Sequence, residues 1–186
     1  GLQRDYTGKI QALNQLITNY PQSPYIDDAL YEQGRAFVQL EDNSNAIERF
    51  QLLVKNFPQS KMAPRAANEV GLLYYQDDKY PEAITVYKNV IKNYPGSEEA
   101  RLAQRDLKSI YIDLNKVDEY ADFVSTIPNG VNFDVNERDS LTYVAAERVY
   151  MRGETANARN SFVRYLQTFP EGAFSLSANY YIGLID

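Results

Sequence analysis

The chain has 186 residues with 19 basic and 25 acidic side chains, a net charge of −6 and a pI near 4.8, a balance that argues against a nucleic-acid groove, which needs a positive face to displace phosphate counterions. It contains neither His nor Cys, which closes imidazole acid–base chemistry, His- or thiolate-ligated metals, thiolate nucleophiles and disulfides together. Hydrophobic residues at 44% and charged residues at 24% are the usage of an ordinary folded protein, and the longest apolar run, Val70 to Tyr75, is far too short to span a bilayer.

The first predicted element is a helix whose apolar side chains Ile10, Leu13, Leu16, Ile17 and Tyr20 recur at helical spacing, with Lys9 one place ahead of them. Tyr20-Pro21-Gln22-Ser23 stops it, because the residue before a proline is pushed out of the right-handed helical region and the ring removes a donor. A second pattern, Ala29, Leu30, Gly34, Phe37 and Val38, runs to the turn Glu41-Asp42-Asn43-Ser44-Asn45. The third helix repeats the first as Ala46, Ile47, Phe50, Leu53, Val54 and Phe57, and ends at Phe57-Pro58-Gln59-Ser60. Ala66, Ala67, Val70, Gly71, Tyr74 and Tyr75 then repeat the second pattern, with Pro81 suited to open the next helix. That helix carries Ala83, Ile84, Tyr87, Val90, Ile91 and Tyr94 and closes on Tyr94-Pro95-Gly96-Ser97, 37 residues after the previous linker.

The next pair is Leu102, Ala103, Leu107, Ile110, Tyr111 and Leu114, followed by Val117, Tyr120, Phe123, Val124 and Ile127, with Lys116 read at the alanine place and Ile127-Pro128-Asn129-Gly130 as its linker. This unit reads as trimmed, and the one after it as having a longer leading loop from Asn129 to Asp139. Leu141, Val144, Ala145, Ala146, Val149 and Tyr150 lead through Arg152-Gly153-Glu154-Thr155 to Ala158, Phe162, Tyr165, Leu166 and Phe169, and to Phe169-Pro170-Glu171-Gly172. Ala178 to Ile185 begins a last helix.

Two alternating helical patterns with turn chemistry between them make the unit a helix hairpin. Glycine in mid-helix costs about 1 kcal/mol against alanine, so Gly34, Gly71 and Gly183 are expected where the paired helix approaches closely. The residues match the tetratricopeptide repeat, which this chain resembles over nearly its whole length. Gly34 and Phe37 lead to Ala46, Phe50 and Pro58; Gly71 and Tyr74 lead to Ala83, Tyr87 and Pro95; Ala158, Phe162 and Pro170 repeat the second half. The signature Trp is absent, the third unit lacks the Gly and Ala positions, and Ala146 stands where the fourth should carry Gly. The aromatic-Pro-x-Ser linker ahead of Ala29-Leu30-Tyr31 is similar to the bacterial cell-envelope branch of the family, the Tol-Pal-associated periplasmic and outer-membrane assembly lipoprotein type.

The resemblance implies an all-α fold, a right-handed α-solenoid of tandem hairpins forming one array over 1–186. Its units fall at about 1–21 (half), 24–58, 61–95, 97–128, 137–170 and 174–186 (half). The half units read as the bare ends of an excised fragment, with any signal segment outside it and self-association through those ends as one structural reading.

Chemistry is sparse. The carboxylate pairs Asp27-Asp28, Asp77-Asp78 and Glu98-Glu99 sit near predicted helix starts, where negative charge complements the helix dipole. Asn132, Asp134 and Asn136 alternate like calcium ligands, but Glu137 stands where such a loop needs Gly and Tyr143 where it needs a bidentate Glu. No phosphate loop, nucleotide fingerprint or serine-nucleophile motif is present, so no enzyme, cofactor or metal is expected. Tyr20, Tyr87, Tyr94 and Tyr111 belong to the apolar stripe and are expected in the core.

In the family, first-helix positions flanking the Gly line a concave groove. Carried onto this chain they are Tyr31, Arg35, Asn68, Tyr75, Arg105, Tyr143, Glu147, Tyr150 and Tyr180, a Tyr- and Arg-rich set of the kind that anchors protein interfaces. The family's Lys/Asn/Arg clamp for a peptide carboxylate is not reproduced. The expected function is a noncatalytic scaffold binding a peptide or partner domain in that groove, in a bacterial periplasm or at an outer membrane. The alternative is a regulatory or sensory repeat region of a larger protein that carries its chemistry elsewhere.

Overall fold

The computed structural model describes residues 1–128 and 133–186, and every regular element among them is an α-helix. In chain order these are α1 (Leu2–Asn19), α2 (Ile26–Gln39), α3 (Asn43–Asn56), α4 (Ala63–Gln76), α5 (Tyr80–Asn93), α6 (Glu98–Asp113), α7 (Val117–Ser125), α8 (Val135–Met151), α9 (Thr155–Thr168) and α10 (Ser175–Ile185). The chain divides into two compact units, Gly1–Gln104 and Arg105–Asp186. Within each, neighbours in sequence pack together: α1 on α2, α2 on α3, α3 on α4 and α4 on α5 in the first; α7 on α8, α8 on α9 and α9 on α10 in the second.

The linkers work as the prolines require. Ser23, Ser60, Ser97 and Gly172 each donate a backbone N–H to the carbonyl of the aromatic residue three places earlier, at 2.9, 3.0, 3.2 and 3.0 Å, which is a β-turn with Pro at its second position. Asn129 and Gly130 of the remaining linker lie outside the described residues, as does Asn132.

The inner turns share a second device. Glu41, Asp78, Asn115 and Gly153 all take positive φ, at 57°, 56°, 57° and 81°. The next residue in each case bonds back to a carbonyl five places earlier: Asp42 to Phe37 at 2.9 Å, Lys79 to Tyr74 at 2.9 Å, Lys116 to Tyr111 at 2.8 Å and Glu154 to Val149 at 3.3 Å. This is the left-handed cap that satisfies the orphan carbonyls at a helix end.

That shared turn corrects the register read for the third pair. Ala46, Ala83 and Ala158 donate to the cap residue four places earlier, and the residue that does so in α7 is Tyr120, to Lys116. Lys116 is therefore the residue before the helix, not the counterpart of the alanine; Tyr120 fills that buried place. The trimming falls at the far end of α7, which has 9 residues where α3, α5 and α9 have 14. The leading loop of the next unit is also shorter than expected: α8 begins at Val135, capped by the Asp134 side chain on the Glu137 N–H at 2.8 Å, so Asp139 is helical and buried.

In the first unit the core centres on Leu30, Phe50, Leu53, Ala63, Ala66 and Val70. A methyl group built at Gly34 would lie 2.4 Å from the Phe50 ring, and at Gly71 2.5 Å from the Tyr87 ring, so both glycines admit a ring from the paired helix. Gly183 differs: nothing lies within 4 Å of the place its side chain would take. In the second unit the core gathers Tyr143, Ala146, Val149, Phe162, Tyr165 and Ala178. Tyr87 and Tyr111 are core residues and Tyr94 is half-buried, but Tyr20 is 64% exposed. Tyr94 lies back on the Pro58 linker, donating its hydroxyl to that proline's carbonyl at 3.3 Å.

Candidate functional site

The helices that open each hairpin after a linker, α2, α4, α6, α8 and α10, are the first-type helices, and α1, α3, α5, α7 and α9, which close on the linkers, the second-type. Tyr31, Asn68, Arg105, Tyr143 and Tyr180 occupy one register position of the first type, 37 or 38 residues apart. Their environments are unlike. Tyr31 and Tyr143 are buried, at 6% and 7% exposure, which corrects the expectation that they present their rings to a partner. An aromatic ring here lies over the ring of the paired helix: Tyr31 meets Phe50 at 5.6 Å, and Tyr143 meets Phe162 at 6.0 Å and stacks on Phe174 at 4.5 Å. Asn68 is half-buried, Arg105 is exposed and bonded to Asp106 at 3.2 Å, and Tyr180 is 66% exposed.

In the first unit, α2 and α4 bring Tyr31 and Arg35 together with two residues that the repeat pattern did not single out, Arg65 and Glu69. The Tyr31 hydroxyl bonds the Arg65 side chain. Burial pushes the Glu69 carboxyl up, and Arg35 and then Arg65 pull it back; burial likewise raises the Tyr31 hydroxyl, with the Glu69 charge adding to it. Asn68, one place before Glu69, has a side-chain oxygen buried without a hydrogen-bond partner among the described residues, an arrangement that costs free energy until a donor arrives. Tyr75 lies a turn further along α4, half-buried, its ring 5.9 Å from Tyr80. The only forewarning of Arg65 and Glu69 in the sequence is their i, i+4 spacing around Asn68.

In the second unit, α8 and α10 assemble Tyr143, Glu147, Tyr150 and Tyr181. Tyr181 donates its hydroxyl to the Glu147 carboxylate at 3.4 Å, stacks on Phe162 at 4.9 Å and tilts against Tyr150 at 4.8 Å. Burial, with the Glu147 charge second, raises the hydroxyls of both Tyr143 and Tyr181. Arg35 and Glu147 stand at matched register positions with opposite charge, so the two faces differ in what they attract.

Sequence reasoning missed the buried polar centre of this unit. Tyr165, fully buried, donates its hydroxyl to Asp139 at 2.5 Å and accepts the Phe174 N–H at 3.0 Å; the second Asp139 oxygen accepts the Ala173 N–H at 3.0 Å. Burial, with the Asp139 hydrogen bond next, pushes the Tyr165 hydroxyl up to about 12. These bonds fasten the linker before α10 to α8 and α9. Among the described residues no group of three or more His, Cys, Asp or Glu converges to hold a metal, and no helix is long and apolar enough to cross a membrane.

Tetratricopeptide repeat family models match residues 31–98 and residues 1–23. No curated protein matches the chain. Among solved structures, a Podosopora anserina protein with "nearly identical TPR-like repeats" superposes with a TM-score of 0.50 at 13% identity, covering 89% of each chain. A tetratricopeptide repeat protein of Parabacteroides merdae gives 0.48 at 14% identity over 86% of this chain and 59% of that one. PilF of Pseudomonas aeruginosa gives 0.46 at 16% identity over 99% and 86%. At these identities the first of the three speaks to fold, and it agrees with the all-helical tandem-hairpin architecture. Over residues 1–23 and 31–98 the chain is thus similar to tetratricopeptide repeats, which generally act as noncatalytic scaffolds for protein–protein interaction.

Proposed function

We propose that the protein is a noncatalytic interaction scaffold whose first-type helices hold an extended peptide or a partner's loop, in a bacterial cell envelope. The α2/α4 face carries this reading, through one observation: Asn68 has a buried acceptor without a partner among the described residues, and the next residue, Glu69, feels the charges of Arg35 and Arg65. A peptide backbone offers the matching set, with an N–H for Asn68 and carbonyls for the two guanidinium groups. The envelope setting rests on the aromatic-Pro-x-Ser linkers at Tyr20 to Ser23 and Phe57 to Ser60. The hairpin units read from the sequence are taken as repeats of one array.

The test is capture of a partner from a bacterial envelope fraction by the full chain, followed by calorimetry of the purified pair. Arg35→Ala with Asn68→Ala should weaken binding by more than 2 kcal/mol, the usual hot-spot scale, and leave helicity unchanged. Tyr31→Phe is added to this pair, since it removes the hydroxyl without opening a cavity beside Phe50. If these variants bound normally while Arg49→Ala, Lys88→Ala and Lys92→Ala on the second-type helices abolished binding, the face would be wrong.

A second reading has its own observation. Leu176, Tyr180 and Leu184 form an exposed stripe along α10, at 86%, 66% and 53%, and Gly183 opens beside it. Two other chain glycines at this register admit an aromatic ring from a second-type helix, so self-association through α10 is the reading this stripe favours. Sedimentation of Leu176→Glu with Leu184→Glu against the unchanged chain tests it: equal mass in both would reject it.

A further inference from the structure

The groove between successive second-type helices occurs in both units, and its lining changes character. In the first unit it is lined by Val54 of α3, Ala67 and Val70 of α4, and Val86, Asn89 and Asn93 of α5. In the second it is lined by Asn115 and Lys116 before α7, Thr142 of α8, and Ser161, Arg164 and Thr168 of α9. Four of these positions correspond in register, 75 residues apart: Ala67 with Thr142, Val86 with Ser161, Asn89 with Arg164 and Asn93 with Thr168. The exchanges bring in three hydroxyls and a guanidinium.

These changes are not accidents of an exposed surface. Ser161 is 6% exposed, and its hydroxyl accepts from the Asn115 amide at 2.8 Å while donating to the Asn157 carbonyl at 2.9 Å. The turn before α7 is therefore fastened to α9 by a half-buried polar bond, at a position where the other unit has valine. Lys116 and Arg164 flank this bond, and among the described residues neither forms an ion pair. The carboxylates Asp118 and Glu119 also line the groove. Asp118 is held by Arg138 at 2.6 Å, which leaves Glu119 against two cations.

We propose that this groove of the second unit binds an oxyanion, a phosphate or a carboxylate, between Lys116 and Arg164, with the hydroxyls of Thr142 and Thr168 as further donors. A guanidinium beside an ammonium and hydroxyl donors is the chemistry that recognises such groups. With a net charge of −6 the chain as a whole repels anions, so retention here requires local donors rather than a diffuse positive field. The site takes its cations from the α7 and α9 end of this groove and Thr142 from α8, and it shares no residue with the α2/α4 face, so it does not depend on that reading.

Amide NMR of the full chain, titrated with inorganic phosphate at constant ionic strength, tests this. Saturable shifts are expected at Asn115 to Glu119, Thr142 and Arg164. Arg164→Asn installs the residue of the matched position in the first unit and should weaken binding at least fivefold, as should Lys116→Ala; circular dichroism checks that both fold. Glu119→Gln should strengthen binding, and Lys55→Ala, at a residue that lines the first unit's groove, should leave it unchanged. A parallel acetate titration separates the sources: tighter phosphate binding points to a phosphorylated ligand, and acetate binding at least as tight points to an acidic side chain. Shifts that never saturate, that spread over all cations alike, or that persist unchanged in Arg164→Asn with Lys116→Ala would overturn the proposal.

Discussion

The stretches α2 to α4 and α8 to α10 lie 112 residues apart in one register, and they solve the same packing problem in two ways. In the first, Gly34 lets the Phe50 ring approach to within 2.4 Å of where a methyl would be. In the second, Ala146 faces the matched ring of Phe162, and both are buried. The second hairpin accepts a methyl that the first excludes. It adds ring contacts instead, with Tyr143 stacked on Phe174 and Phe162 on Tyr181. The linkers diverge in the same sense. Asp27 accepts the Ser60 hydroxyl at 2.5 Å and the N–H of its own neighbour Asp28 at 2.9 Å, the second bond exposed, whereas the matched Asp139, itself buried, accepts the Tyr165 hydroxyl and the Ala173 N–H from across the linker. A repeat thus fixes where helices pack and leaves open whether close approach or a buried polar centre secures them.

The largest expected effect breaks that polar centre. Asp139→Ala leaves the buried Tyr165 hydroxyl and the Ala173 N–H without their acceptor and should cost about 3 kcal/mol. Asp27→Ala, which frees only the half-buried Ser60 hydroxyl and the exposed Asp28 N–H, should cost about 1 kcal/mol. Chemical denaturation of both variants checks the difference, and equal losses would mean that Asp139 is no more than a linker contact.

Next comes close approach. Gly34→Ala must displace the Phe50 ring and should destabilise by about 2 kcal/mol through overpacking. Ala146→Gly should cost about 1 kcal/mol through helix propensity alone. If Gly34→Ala were neutral, the two helices would be free to separate and the contrast between the hairpins would disappear. Gly183→Ala has open space around it and should stabilise α10 by restoring that same propensity.

A smaller effect appears in alkali. The folded chain holds the Tyr165 proton up to about pH 12, against an ordinary value of 10. A raised folded value means that the contribution is intact below pH 10 and is lost as the pH climbs to 12. Stability of the second unit should fall across that window, and Tyr165→Phe should flatten the fall relative to the unchanged chain. An identical alkaline profile in the variant would place the titration on the other raised tyrosines, Tyr31, Tyr94, Tyr143 and Tyr181.

Periodicity made the helices and their pairing legible, because each second-type helix must repeat its apolar stripe and each linker carries a proline. It placed the glycines of α2 and α4 correctly for the same reason. It misplaced Lys116, since apolar spacing counted back from Pro128 does not register a helix shortened at its far end, whereas the hydrogen bond from Tyr120 to Lys116 does. Exposure was the harder quantity. Tyr31 and Tyr180 share a register position, and only the presence of Phe50 beneath the first ring decides that it is buried. The polar clusters were invisible because their members are far apart in sequence: Tyr165 lies 26 residues from Asp139, and Ser161 46 residues from Asn115.

The smallest effect concerns the charged pairs that tie neighbouring helices at the surface. Lys9 on α1 meets Glu32 on α2 at 2.5 Å, and Arg138 on α8 meets Asp118 on α7 at 2.6 Å. All four side chains are more than a third exposed, so solvent screens both pairs, and a double-mutant cycle should give about 0.5 kcal/mol for each, vanishing in about 1 M salt. The two units would then differ in stability through their buried groups and not through surface charge. Function separates the pairs where stability does not. Arg138→Ala releases the Asp118 carboxylate beside Lys116 and Arg164, and should weaken phosphate binding in that groove, while Lys9→Ala should leave it unchanged. A coupling well above 1 kcal/mol at either pair would show that surface charge contributes to the contrast between the units, and equal phosphate affinity in Arg138→Ala would show that Asp118 does not reach the anion.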